Sequence, residues 1–245
     1  MDFSRFTAIS FDCYGTLVDW ESGILPVLRK VLAQHGQTLT DFKILELYGE
    51  FEADAESGPY QSYRRVLQSV VRSFGDRLHF GPTTAEISSL DESVSSWRPF
   101  PDTVAALRAL NKRHRLALIS NIDDELFAVT RKYLQVDFDC VVTAEQAKSY
   151  KPAIRNFQMA LGRLGIAPAA LLHAGQSIYH DVVPAASLGI ATAWVNRKSA
   201  RAGIGAVRAV AGSGAMVRAD IEVPDLASLS AIAIEGGQDQ GAIER

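Results

Sequence analysis

The sequence predicts an α/β protein: a parallel sheet with helices on both faces and a helical cap inserted after the first strand. Three observations lead there. Apolar, β-branched runs of strand length alternate with segments of helical periodicity, as crossover-connected parallel strands require. The stretch 20–97 interrupts that alternation with helical patterns alone. The segment Ile9-Ser10-Phe11-Asp12-Cys13-Tyr14-Gly15-Thr16-Leu17-Val18-Asp19-Trp20 is an apolar strand that halts on a carboxylate, turns on a glycine and re-enters a hydrophobic run.

Thr7 to Phe11 forms the first strand. The interruption follows, with helical patterns near Ile24 to His35, Asp41 to Ala55, Tyr60 to Phe74 and Thr84 to Ser95. Pro99 and Pro101 punctuate the return, because a residue before proline is pushed out of helical backbone. Helix then alternates with strand: Thr103 to Lys112, Leu116 to Ser120, Glu125 to Leu134, Cys140 to Thr143, Ile154 to Leu164 with Gly165 as a stop, Leu171 to Ala174, Val182 to Leu188, Thr192 to Val195 and a weaker strand at Ile221 to Val223. Gly203 to Met216 reads as a loop and Glu235 to Arg245 as a frayed polar tail. This organisation assigns 1–19 and 98–245 to an α/β core domain and 20–97 to a helical cap domain, which would exclude water from a site at the strand ends.

Composition narrows the function. A chain of 245 residues, 47% hydrophobic and 22% charged, can bury a full α/β core. A formal net charge of -3 and a pI near 6.0 supply no footprint for nucleic acid, and no basic amphipathic run suggests a membrane surface. A small-molecule partner is therefore expected, in the cytoplasm. Cys13 and Cys140 are the only cysteines; both adjoin strand-like runs and suit reduced, half-buried thiols. The start lacks a signal-peptide pattern, and no apolar run reaches the ~20 residues that span a bilayer. The apolar faces of the cap helices leave a homodimer open.

Four strand ends carry unusual polar residues. In open parallel sheets, ligands bind in the crevice beyond the strand carboxyl ends, and Asp12 lies at such a point. Ser120-Asn121 closes the second core strand, and Asp123-Asp124 suits a helix start whose N–H groups could hold an anion. Lys151 is held extended by Pro152 and could neutralise a nearby aspartate. Gly175-Gln176-Ser177-Ile178-Tyr179-His180-Asp181 delivers a second carboxylate and a histidine able to move a proton near neutral pH. Each has an ordinary reading as a cap, a turn or a solvated lysine. Their recurrence at successive strand ends points to one site.

Together these segments resemble the haloacid dehalogenase superfamily of hydrolases, whose fold is Rossmann-like. The resemblance rests on Asp12-Cys13-Tyr14-Gly15-Thr16, Ser120-Asn121, Lys151-Pro152 and Gly175 through Asp181, in that order, over nearly the whole chain. The superfamily's phosphatases carry a second aspartate two residues after the nucleophile and acidic residues in the last motif that hold magnesium. Here those places hold Tyr14 and Gln176, a thin donor set for a hard cation. The resemblance thus implies no metal, with Mg²⁺ entering only in a phosphatase.

Tyrosine at position 14 is what the L-2-haloacid dehalogenase branch carries. That similarity implies that Asp12 attacks C2 of a small 2-substituted carboxylic acid and forms an aspartyl ester that water opens. It implies that Thr16, Lys151 and Asp181 position Asp12, and that Ser120 and Asn121 grip the substrate carboxylate. Those dehalogenases receive the halide on an early cap arginine, yet this chain has no arginine between Arg29 and Arg64 and reads Leu45-Glu46-Leu47-Tyr48-Gly49-Glu50-Phe51-Glu52 there. Carboxylates, or the faces of Tyr48 and Trp20, suit a cationic or amine leaving group better. Asp12 through Gly23, Trp97, Phe100 through Val104, Ser120 through Asp123 and Ser177 through Asp181 are similar to L-azetidine-2-carboxylate hydrolase, which opens a strained ring at C2. Ser177 joins the expected substrate-binding residues. Phe157 and Ile178 fall near places where the dehalogenases carry water-activating groups, leaving His180 or Asp181 for that task. Dehalogenation, ring opening, phosphatase action and mere ligand binding all remain open on the sequence.

Overall fold

The computed structural model describes residues 1–197 and 218–235; the expected Gly203–Met216 loop and all but the first residue of the expected tail lie outside them. Its elements run β1 (Ala8–Phe11), β2 (Val18–Asp19), α1 (Trp20–Gln34), α2 (Asp41–Glu56), α3 (Tyr63–Leu78), α4 (Thr84–Ser93), β3 (Arg98–Pro99), α5 (Thr103–Leu110), β4 (Arg115–Ser120), α6 (Asp124–Leu134), β5 (Cys140–Thr143), α7 (Ala144–Ala147), α8 (Arg155–Leu164), β6 (Leu171–Gly175), α9 (Val183–Ser187), β7 (Ala191–Val195), β8 (Ile221–Val223) and α10 (Leu226–Glu235). Six parallel strands form one sheet in the order β5-β4-β1-β6-β7-β8.

The alternation of side chains along β1, β4 and β6 divides the core. Ile9, Phe11, Leu116, Leu118, Leu172 and Ala174 join the larger apolar cluster, while Ala8, Ala117, Ile119 and Leu171 face a second with Phe157. The chain winds outward in opposite directions from β1, through β4 on one side and β6 on the other. The crevice beyond their carboxyl ends is thus the topological switch point.

The insertion is tied to the sheet by a ribbon the sequence did not reveal: β2 and β3 pair antiparallel, Val18 opposite Pro99 and Asp19 opposite Arg98. Two residues per strand are too few to show a period. Leu17 O anchors the ribbon, accepting from Phe100 N at 3.0 Å and Thr103 Oγ1 at 2.8 Å. Local caps set where the inserted helices begin. Asp19 accepts from Ser22 N, so α1 starts earlier than expected; Thr83 and Glu86 close a capping box at α4. Gly165, at φ +66, ends α8 as expected.

Three further expectations need correction. The helix read at Val182–Leu188 begins as a π turn, Ile178–Val182, before α9. Both cysteines are fully buried rather than half-buried, and both are free. The N-terminus of α6 is no free anion site, because Glu145 Oε2 accepts from Asp124 N at 2.9 Å and Asp123 turns away to the insertion. Among the described residues, no helix is long and apolar enough to cross a membrane.

Candidate active site

Asp12 follows β1 at the switch point, its backbone N–H bonded to Ala174 O at 3.0 Å. One carboxylate oxygen accepts from Thr16 Oγ1 at 2.8 Å and the other from Lys151 Nζ at 2.8 Å. Gly15, at φ +93, makes the turn between them, and a Cβ there would lie 2.7 Å from the Gln176 side-chain oxygen. Thr16 Oγ1 in turn accepts from Gln176 N at 2.9 Å, so the β1 and β6 loops share one hydroxyl. Behind this turn Arg197 donates to Thr16 O and grips Asp102 bidentately.

Lys151 is 2% exposed and donates to three oxygens: Asp12 Oδ1, Ile119 O at 3.0 Å and Asp181 Oδ1 at 2.6 Å. Asn121 holds the lysine's backbone from both sides, its Oδ1 accepting from Lys151 N at 2.7 Å and its Nδ2 donating to Lys151 O at 3.2 Å. Burial works against the ammonium, but the two carboxylates overcome it and raise the lysine's pKa. Burial likewise opposes ionisation of Asp181, but Lys151 and His173 hold its carboxyl well below the usual range. Burial pushes the Asp12 carboxyl up, with Lys151 opposing and Asp181 adding to the rise.

His173 was missed because it sits inside an apolar strand pattern. Its Nε2 lies 3.1 Å from Asp181 Oδ1 and its Nδ1 2.9 Å from Ser10 Oγ, with Phe157 packed edge-on against the ring. The cross-strand register, Ser10 opposite His173, brings them together on the second face of the sheet.

These strand ends and the inserted helices enclose a cavity of about 350 Å³, a size suited to a small molecule. Asp12, Tyr14, Trp20, Tyr48, Ser120, Asn121, Lys151, Ser177, His180 and Asp181 all line it, and Thr16 stands behind Asp12. Tyr14 shows the cavity its ring, since its hydroxyl bonds Thr130 Oγ1 at 2.8 Å. Ser120 Oγ is buried without a hydrogen-bond partner. His180 Nδ1 lies 3.2 Å from Ser177 Oγ, and burial pushes the ring's pKa down to about 4, so it is neutral at pH 7.

The insertion adds groups not foreseen as site residues. Glu46 and Glu50 are exposed and paired with Lys43 and Arg77, but Glu52 and Glu56 line the cavity, as do Tyr63 and Trp97. Residues 48, 52 and 56 fall on one helix face, a spacing that could have identified them. Glu52 Oε1 accepts from Tyr48 at 2.9 Å and Tyr63 at 2.5 Å; Glu56 Oε2 accepts from Asn121 Nδ2 at 3.3 Å.

The donor set does not fit a hard divalent cation. The Lys151 ammonium already bridges the two aspartates, Asp181's other oxygen accepts from Ser177 N, and Tyr14 and Gln176 bring no carboxylate.

Comparison with known proteins agrees with this geometry. The family model of haloacid dehalogenase-like hydrolases matches residues 6–189. Glyceraldehyde 3-phosphate phosphatase of Methanothermobacter thermautotrophicus is 30% identical over 196 residues, covering 77% of this chain and 85% of that protein. Haloacetate dehalogenase H-2 of Moraxella sp. (strain B) is 25% identical over 199 residues, covering 79% and 87%. The L-2-haloacid dehalogenase structure from Xanthobacter autotrophicus superposes with a TM-score of 0.75 at 21% identity, over 94% of this chain and 98% of that one. A strand-end aspartate bound to a buried lysine, the order of the motifs and a match across most of the sequence agree: the chain belongs to the haloacid dehalogenase-like hydrolases.

Proposed function

We propose that the chain cleaves the C2–X bond of a small 2-substituted carboxylic acid through a covalent ester on Asp12, without a metal. The observation that carries this is the Asp12 environment: a carboxylate at the switch point, held by Thr16 and Lys151, facing a cavity of small-molecule size. Lys151 favours the ionised form of the buried carboxylate and Thr16 fixes its rotamer, so that an oxygen can attack C2. Ser120, whose hydroxyl has no partner, receives the substrate carboxylate; Asn121 contributes less than expected because its amide already holds Lys151. Water then attacks the ester carbonyl. His180 takes its proton, since Asp181 has both oxygens engaged and a lowered pKa.

In this proposal residues 20–97 act as a cap domain on a core of 1–19 and 98–245, and the protein works in the cytoplasm with a small carboxylate as its partner. A homodimer is compatible with the same chemistry. A second reading, ring opening at a C2–N bond as in azetidine-2-carboxylate, is favoured by one observation: Glu52 and Glu56 line the cavity and no arginine lies between Arg29 and Arg64.

A substrate panel with and without EDTA tests the proposal. Turnover of L-2-chloropropionate or L-azetidine-2-carboxylate, unaffected by EDTA and abolished in Asp12→Asn, is expected. EDTA-sensitive cleavage of an aryl phosphate, with neither carboxylate converted, would overturn it in favour of a phosphatase. Conversion of none of the three would leave a binding module.

A further inference from the structure

Arg197 follows β7, and its side chain, 11% exposed, meets three separate parts of the core. Its Nε donates to Thr16 O at 2.8 Å, and its two terminal nitrogens donate to Asp102 Oδ1 and Oδ2, each at 3.0 Å. The guanidinium carbon lies 3.9 Å from the centroid of the Phe100 ring. A planar fork engaged on three edges and one face has a single orientation left to it.

Asp102 is committed to this contact against its ordinary use. It occupies the N-cap position of α5, where an aspartate normally accepts from its own helix, yet its side chain makes no such bond. It accepts instead from Arg197 and, at 2.8 Å, from Leu226 N at the start of α10. Burial opposes its charge, but Arg197 holds the carboxyl below the usual range.

The Thr16 carbonyl reaches the Asp12 carboxylate through Thr16's own side chain. Thr16 is fully buried; its hydroxyl gives its one hydrogen to Asp12 Oδ2 at 2.8 Å while accepting from Gln176 N at 2.9 Å. Threonine is stiff at χ1, so Oγ1 moves with the backbone that Arg197 pins. We propose that Arg197 and Asp102 form a positioning pair that sets the Asp12 carboxylate through Thr16. Neither lines the cavity; the pair acts on the reaction only by fixing where the Thr16 hydroxyl stands. This rests on Asp12 as the reacting group and holds for any leaving group at C2. A lysine at 197 would keep the charge opposite Asp102 but could not reproduce the fork and the Nε–H together. Charge pairing and alignment of the carboxylate therefore separate in Arg197→Lys.

The test uses the full chain with L-2-chloropropionate and L-azetidine-2-carboxylate. Arg197→Lys and Asp102→Asn are each expected to lower kcat about ten- to a hundred-fold, with KM near the wild-type value. In a Thr16→Val background neither lowers kcat further, because the hydroxyl they act through is gone; a purely structural pair would cost the same in both backgrounds. A readout independent of turnover is the Asp12 carboxyl in ¹³C-aspartate NMR spectra, identified by its loss in Asp12→Asn. Its titration should move to higher pH in Arg197→Lys, as in Thr16→Val, since the Thr16 hydrogen bond favours the ionised form. Equal costs in both backgrounds, or an Asp12 titration unmoved by Arg197→Lys, overturn the inference. If Asp12→Asn is inactive while Arg197→Lys matches the wild type, this inference fails and the covalent reading survives; if Asp12→Asn keeps the wild-type rate, both fail.

Discussion

Lys151 Nζ lies 2.6 Å from Asp181 Oδ1, and the same ammonium reaches Asp12 Oδ1 at 2.8 Å. One buried cation therefore bridges two buried carboxylates. Lys151→Met is expected to destabilise the fold by about 3 kcal/mol or more, the cost of leaving buried charge unpaired, and to reduce activity at least about a hundred-fold. Lys151→Arg should not restore function, because a planar fork does not fit a point-charge site. Denaturant unfolding and steady-state kinetics check both.

Gly175 presses on Asp181: a Cβ there would lie 2.5 Å from the aspartate's Cβ and Cγ. Gly175→Ala should displace that carboxylate, costing about 1–3 kcal/mol and lowering kcat. Gly162→Ala, within α8 and facing open space, should instead stabilise the protein by roughly 0.5–1 kcal/mol with activity unchanged. Thermal melts of the two variants shifting in the same direction would contradict this.

His173 acts as a positioning residue through Asp181. In His173→Leu, Ser10 Oγ and Asp181 lose a buried partner, at a cost of about 1–3 kcal/mol. The expected kinetic signature is a fall in kcat with KM nearly constant, and partial rescue by His173→Gln. A change in KM alone would instead place the effect on substrate binding.

Two cavity residues give opposite pH signatures. His180 titrates near 4 when folded against an ordinary 6.5, so between those values the unfolded chain binds a proton the folded chain does not. Its contribution to stability is complete above about pH 6.5 and is lost as pH falls to about 4. Glu56 is raised well above 4.5, so its contribution is present below that value and is lost as pH rises. His180→Gln should gain on the wild type as pH falls through that window, and Glu56→Gln should gain as pH rises above about 4.5. Unfolding curves taken at stepped pH check both signs; curves parallel to the wild type would contradict them.

The alternation of apolar runs and helical patterns located the six sheet strands, because a parallel sheet buried on both faces leaves a continuous apolar signature. The same logic placed Asp12 and Asp181, which follow such runs; Lys151 stood out through Pro152 instead, and it lies after α7 rather than at the end of β5. That logic could not reveal what depends on register or packing. His173 became visible only once Ser10 was paired with it across β1 and β6. Glu52 shares a helix face with Tyr48, which the spacing showed, but that this face lines the cavity while Glu46 pairs with Lys43 was set by the packing of α2. Asp123 read as the start of an anion site, yet it accepts from Tyr63 N and Arg64 N and so caps α3 of the insertion. The short α7 and the terminal α10 escaped notice, the first for lack of length and the second because its small residues blur the apolar stripe.

The covalent bond to Asp12 is measured most directly by a single turnover in ¹⁸O-labelled water, with mass spectrometry of both the product and the peptide containing Asp12. The label should enter the peptide while the first product carries ordinary oxygen at C2. Label in the product and none in the peptide would mean that water attacks the substrate itself, and Asp12 would not be the nucleophile.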